Sequence, residues 1–204
     1  VLLVVAAYGA EPTRRTLDDA NCMLAIWNED WGLASSGDPK LVLAVWKDGY
    51  VAWSEQRIAG GGPYRTGRVD PKLVASFCSN LDRDGLFAQQ CRMSYWGPDS
   101  FFTAIRAQFG KKKLQMDSWH ELAESHGKVV ALSGGLTPLG GRSLFEALKT
   151  EPAEYLFFRF LWSEVRSRAA GLVPSDGSLV NGRLVKQRGA IVWEETPAES
   201  KPAK

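Results

Sequence analysis

The sequence is short of the residues that ready-made chemistry needs. Its 204 residues hold two histidines and three cysteines. His120 and His126, six apart, fall on nearly opposite faces of any helix, because helical neighbours stand three, four or seven apart, and His120 reads as an exposed helical histidine rather than a metal ligand. No Cys-x-x-Cys pair and no Cys/His cluster occurs, which speaks against structural zinc, and neither a metal nor a cofactor is expected. The G-x-S-x-G elbow of serine hydrolases is missing. SGGLTPLGGRS (133–143) places glycines before a helix but has neither the Lys-Ser/Thr ending of a phosphate loop nor the G-x-G-x-x-G order. Charge of one sign is also lacking: 25 Lys and Arg face 23 Asp and Glu, a formal net charge of +2. A nucleic-acid binder usually shows a concentrated basic face, so no nucleic-acid partner is expected. No apolar run is long enough to cross a bilayer: the longest helical pattern is interrupted by Arg159 and followed by Arg166 and Arg168.

What is present is aromatic and patterned. Eight tryptophans are spread over the chain. LVLAVW (41–46) and YVAWSE (50–55) flank Asp48-Gly49, a strong hairpin signal because a type I′ turn needs φ > 0 at both central residues. That turn pairs Trp46 with Val51 and Ala44 with Trp53, and sets both indoles on one face. Asp70 as N-cap, Pro71 at the first helical position and Gly85 as stop predict a helix between them, with Leu73, Val74, Phe77, Cys78 and Leu81 as its apolar stripe. LAIW (24–27) matches LAVW (43–46), as an old duplication or two adjacent buried strands would, but a coincidence of apolar strand residues is the simpler reading.

FFTAIRAQF (101–109) alternates, turns at Gly110-Lys111 and returns as KKLQMD. Ser118-x-x-Glu121 and Ser143-x-x-Glu146 read as capping boxes. A long helix is expected from about Pro152 to Ala170, with Leu156, Phe157, Phe160, Leu161 and Val165 on its core face, widened by Tyr155, Phe158 and Trp162. Two closing strands surround Asn181-Gly182 or Arg188-Gly189. The fold class is therefore α+β: antiparallel hairpins forming a sheet, with helices packed mainly on one face.

Residues 1–10, VLLVVAAYGA, read as the remnant of a secretory signal with small-x-small cleavage at Ala7-Tyr8-Gly9. Residues 11–21 follow as a linker, 22–194 as a single domain and 195–204 as a disordered tail. The expected location is periplasmic or extracellular. Such a compartment permits a disulfide, and Cys78 and Cys91 are the candidate pair, leaving Cys22 as a small buried hydrophobe.

The candidate site is made of aromatics and arginines in loops. Trp53, Tyr64, Arg65 and Arg68 surround the glycine-rich segment after the hairpin, and Tyr95 and Trp96 stand in SYWGPDS. Tyr, Trp and Arg bury much area while keeping a polar handle. Among carboxylates, Asp99 beside Trp96 is the one to watch for acid–base work.

AVWKDGYVAWSE (44–55), GGGPYRTGRV (60–69), LDRDGLF (81–87) and the closing VWEE (192–195) resemble a planctomycete-like group of exported bacterial proteins. The resemblance implies the fold and export, and carries over no catalytic residue. The favoured function is a non-catalytic binding or structural module that meets a protein, peptide or glycan. The alternatives are an extracytoplasmic hydrolase using carboxylates and an inhibitor presenting loop 59–68 to a protease.

Overall fold

A computed structural model describes residues 13–30, 37–88, 101–124 and 127–197. The chain begins with β1 (Thr13–Thr16), β2 (Cys22–Asp30), β3 (Lys40–Trp46), β4 (Tyr50–Ser54), β5 (Tyr64–Arg68) and α1 (Pro71–Arg83). It continues through β6 (Phe101–Phe109), β7 (Lys112–Ser118), α2 (His120–Ala123), β8 (Lys128–Val130), β9 (Leu136–Pro138) and α3 (Leu144–Leu148). α4 (Ala153–Ala170), β10 (Ser178–Gln187) and β11 (Ala190–Pro197) close it. Nine strands form one antiparallel sheet in the order β1-β11-β10-β5-β4-β3-β2-β6-β7, and β8 pairs with β9 separately. The protein is α+β, with more sheet than helix. The large sheet curls: Lys186 of β10 reaches Glu29 of β2, and Arg106 of β6 reaches Asp18 just after β1. These partners lie several places apart in the strand order, so a flat sheet could not bring them together. Among the described residues no helix is long and apolar enough to cross a membrane.

The β3–β4 hairpin forms where expected, but one residue out of the expected register. Val45 faces Val51, Ala44 faces Ala52 and Leu43 faces Trp53. The turn is a three-residue loop in which the Gly49 N–H donates to Trp46 O at 2.9 Å, and Gly49, not Asp48, takes the positive φ, +80°. This is the second commonest hairpin geometry, with glycine in the left-handed position at the end of a tight turn. A Cβ on Gly49 would also stand 2.1 Å from the Val69 carbonyl oxygen. A one-residue slip exchanges the two faces of a strand, so Trp46 and Trp53 belong to different clusters rather than being neighbours on one.

The repeated tetrapeptides sit side by side: Leu24 pairs with Val45, Ala25 with Ala44 and Ile26 with Leu43. Ala44 also faces Ala52, so an alanine row crosses three strands. Over this row lie the buried indoles of Trp27, Trp46 and Trp193, with Leu41, Tyr64 and Leu184. The Trp27 and Trp193 N–H groups donate to Glu29 and Glu195, each two residues along its own strand, at 3.0 and 2.9 Å. Tyr64 meets Trp193 edge-on at 5.0 Å. The second cluster joins Val74, Phe77, Cys78 and Leu81 of α1 and Tyr155, Phe158, Leu161, Trp162 and Val165 of α4 to Ile26, Val45, Val51 and Ile105.

Local signals are kept in several places. Asp70 caps α1 by accepting from the Lys72 N–H at 2.9 Å, with Pro71 first in the helix and Gly85 at φ +88°. Ser143 and Glu146 form the expected capping box, and Gly110-Lys111 joins β6 to β7. Arg188-Gly189, both at positive φ, make the closing turn, while Asn181-Gly182 lies inside β10.

Other elements depart from expectation. Residues 13–16, read as linker, pair with β11, and β11 extends to Pro197, inside the segment read as tail. Ser118 ends β7 and caps no helix: α2 is a single turn whose N-cap is Trp119. Leu73 is exposed, because the buried stripe of α1 is Val74, Phe77, Cys78 and Leu81. In α4 the buried face is rotated towards Tyr155, Phe158, Arg159 and Trp162, which leaves Phe160 51% exposed. Cys22 and Cys78 are both buried, and Cys91, the expected partner of Cys78, lies outside the described residues.

Candidate functional site

The rotation of α4 opens a cleft of about 860 Å³ between that helix, strands β3 and β4, and the short helices α2 and α3. Its floor is apolar and buried: Ile26, Val42, Leu43 and Trp53. The β2–β3 pairing is irregular here, since Ile26 faces Leu43 but Trp27 faces Leu41. The extra residue, Val42, forms a bulge, so Val42 and Leu43 both point to the α4 side instead of alternating. The wall from α4 is a stripe of Leu156, Phe160, Ser163, Ser167 and Ala170, spaced four, three, four and three residues apart. Its side chains shrink along the helix, and the small ones leave the floor uncovered. Leu144 and Phe145 of α3 form the rim at 47% and 73% exposure.

Two ion pairs are built into the walls. The Arg159 guanidinium, with a side chain 8% exposed, donates to both oxygens of Glu124 at 2.5 and 2.8 Å. Glu124 also accepts from the Val130 N–H at 2.8 Å, and Tyr155 donates its hydroxyl to the Val130 carbonyl at 2.9 Å. Arg166 donates from Nε to Glu121 at 2.8 Å and from its terminal nitrogen to the Arg57 carbonyl at 2.8 Å. Arg159 is the residue that interrupted the apolar run of the helix. Its partner lies 35 positions away in sequence.

His120 is buried beside these pairs, not exposed on a helix as its sequence suggested. It packs edge-on against Trp162 at 4.9 Å, and its Nδ1 lies 2.5 Å from the Ser118 hydroxyl. Burial first, then the Arg159 and Arg166 charges, push its pKa down to about 2. The ring is neutral at physiological pH and is neither a proton donor nor an effective base there. Both glutamates are held by guanidinium groups. The arrangement therefore suits holding an apolar body, with few free groups for proton transfer. Among the described residues no group of three His, Cys, Asp or Glu side chains could hold a metal ion.

The residues singled out in the sequence are dispersed. Trp53 reaches the cleft floor, and a Cβ on Gly177 would stand 2.1 Å from its indole. Tyr64 is buried in the tryptophan cluster. Arg65 donates to Glu55 at 2.6 Å and to the Gly177 carbonyl at 2.8 Å, and Arg68 donates to the Asp48 carbonyl at 3.2 Å. All three lie on strand β5 rather than in a flexible loop. Cys91, Tyr95, Trp96, Asp99 and His126 lie outside the described residues. The charged residues of the cleft were overlooked in the sequence, although Glu121 with Glu124 and Arg159 with Arg166 stand at helical spacings of three and seven. No family model, curated protein or solved structure matches the chain.

Proposed function

We propose that the chain is an exported, non-catalytic binding module whose ligand occupies the cleft beneath α4. The observation that carries this reading is a largely apolar cleft whose carboxylates, Glu121 and Glu124, are already bound to Arg166 and Arg159. Its volume falls within the range of small-molecule sites, roughly 300–1,000 Å³. The reading takes α1 and α4 as a layer on one face of the sheet, supported by the cluster they share with strand side chains. Export rests on the apolar segment 1–10 and on the resemblance to exported bacterial proteins.

The two alternatives draw less support. A carboxylate hydrolase would need a free carboxyl group in the cleft. Asp117, which burial pushes up to about 6, sits on β7 with Gln115 and does not line the cleft. An inhibitor would need segment 59–68 to protrude. Instead Gly60 and Gly61 hydrogen-bond to Gln56 and Leu41, and Tyr64–Arg68 pairs with β4.

The test is tryptophan fluorescence and thermal shift of the full chain with a panel of alkyl amphiphiles. Ser163→Trp and Ser167→Trp fill the stripe at exposed positions, so they should leave melting almost unchanged and remove binding. Binding that survives both plugs would refute the cleft as the ligand site. A protein or glycan partner captured through β5, with the plugs harmless, would favour the surface that the sequence first suggested.

A further inference from the structure

We infer that the ligand of this cleft is an amphiphile with one carboxylate, its alkyl body over Leu43 and Trp53 and its carboxylate at Arg57. The inference rests on the cleft reading above and goes further by naming the charge and the group that meets it.

The side chains lining the cleft include Arg57, Arg159 and Arg166 against Glu121 and Glu124, three positive against two negative, a balance of +1 with His120 neutral. Two of the three guanidinium groups are committed. Arg159 is bound to both oxygens of Glu124, and Arg166 is shared between Glu121 and the Arg57 backbone. The Arg57 side chain has no ion pair among the described residues and is exposed at the mouth of the cleft. Its backbone is nevertheless fixed, because its carbonyl accepts from Arg166 at 2.8 Å. An anchored residue with an unspent guanidinium at the edge of an apolar cleft is complementary to an anion on an apolar body. The rim supports the apolar part of the assignment: Leu144, Phe145 and Phe160 are about half exposed or more. A contiguous apolar surface of this kind marks a binding site more often than chance exposure. The single unit of spare charge selects a carboxylate over a phosphate monoester, which carries about −1.5 to −2 at neutral pH.

The experiment compares decanoate, decanol, decylamine and decyl phosphate, each below its micelle concentration, by calorimetry and tryptophan fluorescence on the full chain. Decanoate should bind about two- to fivefold more tightly than decanol, as expected for one partly exposed ion pair. Decylamine should bind more weakly than either. Arg57→Ala should remove the decanoate advantage and leave decanol affinity unchanged, and Arg57→Glu should turn the preference towards decylamine. The backbone carbonyl that holds Arg166 survives both substitutions, so melting should change little. Equal binding of decanoate and decanol, tighter binding of decyl phosphate, or an unaltered preference in Arg57→Ala would overturn the carboxylate assignment while leaving the cleft reading intact. If all four ligands fail to bind, or bind equally well to Ser163→Trp, the cleft reading itself fails and takes this inference with it.

Discussion

The two apolar clusters are made largely from the same strands yet are finished differently. In one, the indoles of Trp27, Trp46 and Trp193 lie over the small side chains of Ala25, Ala44 and Ala52. Large residues opposite small ones fill the space, and the Trp27 and Trp193 N–H groups end on nearby glutamates. In the other, α4 covers the floor with Phe158, Leu161 and Trp162 on its buried side, but borders the cleft with Ser163, Ser167 and Ala170. There small residues face apolar floor residues across open space. Complementary size closes one cluster, and the lack of it leaves an open cleft in the other.

The largest expected effect comes from emptying the closed cluster. Trp193→Ala should cost about 3–5 kcal/mol in chemical denaturation, the usual range for a large buried aromatic. Phe160→Ala, at the cleft edge, should change stability by about 0.5 kcal/mol or less. Equal losses would mean that the cleft is as much a part of the core as the tryptophan cluster.

Next comes the buried ion pair. Arg159→Met leaves the half-buried Glu124 carboxylate without its cation and should cost about 3 kcal/mol. The double variant Arg159→Met/Glu124→Gln should recover much of that loss, because both charges then disappear together. A double variant as unstable as the single would show that the loss comes from the packing of the Arg159 side chain and not from the uncompensated charge.

A smaller effect is expected at Gly182, where a Cβ would lie 2.0 Å from the Trp193 indole. Gly182→Ala must displace that ring, at a cost of about 1–3 kcal/mol. Ser163→Ala, in the open stripe, should be nearly neutral, and urea midpoints for the pair measure the contrast directly.

The smallest effect is a pH dependence whose two parts oppose each other. His120 has a folded pKa far below its ordinary 6.5. The unfolded chain binds that proton more readily, so the contribution is complete above pH 6.5 and declines as pH falls. Asp117 is raised from 3.8 to about 6, chiefly by burial. Its contribution is complete below pH 3.8 and is lost as pH rises through about 6. Asp117→Asn should therefore gain at most about 2 kcal/mol at pH 7 and nothing near pH 3. A gain at pH 3 would show that the side chain acts through packing rather than charge.

Short-range features could be read from the chain because their causes are a few residues apart. The Asp70-Pro71 start of α1, the Ser143–Glu146 box and the Gly110-Lys111 turn each depend on a local hydrogen bond or a local φ. The match of LAIW to LAVW allowed adjacent strands without singling them out, and only the sheet shows the two segments paired. The site was not legible in the same way. Arg159 in an apolar run was read only as speaking against a membrane span, and nothing nearby in sequence said that it would pair with Glu124, or that His120 lay beside them.

By itself the sequence determined most of the elements, the caps of α1 and α3, and the alternation that makes this an α+β protein. Only the tertiary structure decided the hairpin register, the bulge that turns Val42 and Leu43 to one side, and the rotation of α4. The Arg166 bond to the Arg57 carbonyl joins residues 109 positions apart. Such choices depend on which face of a packed element finds room and partners, a property of the assembled layers and not of any window along the chain.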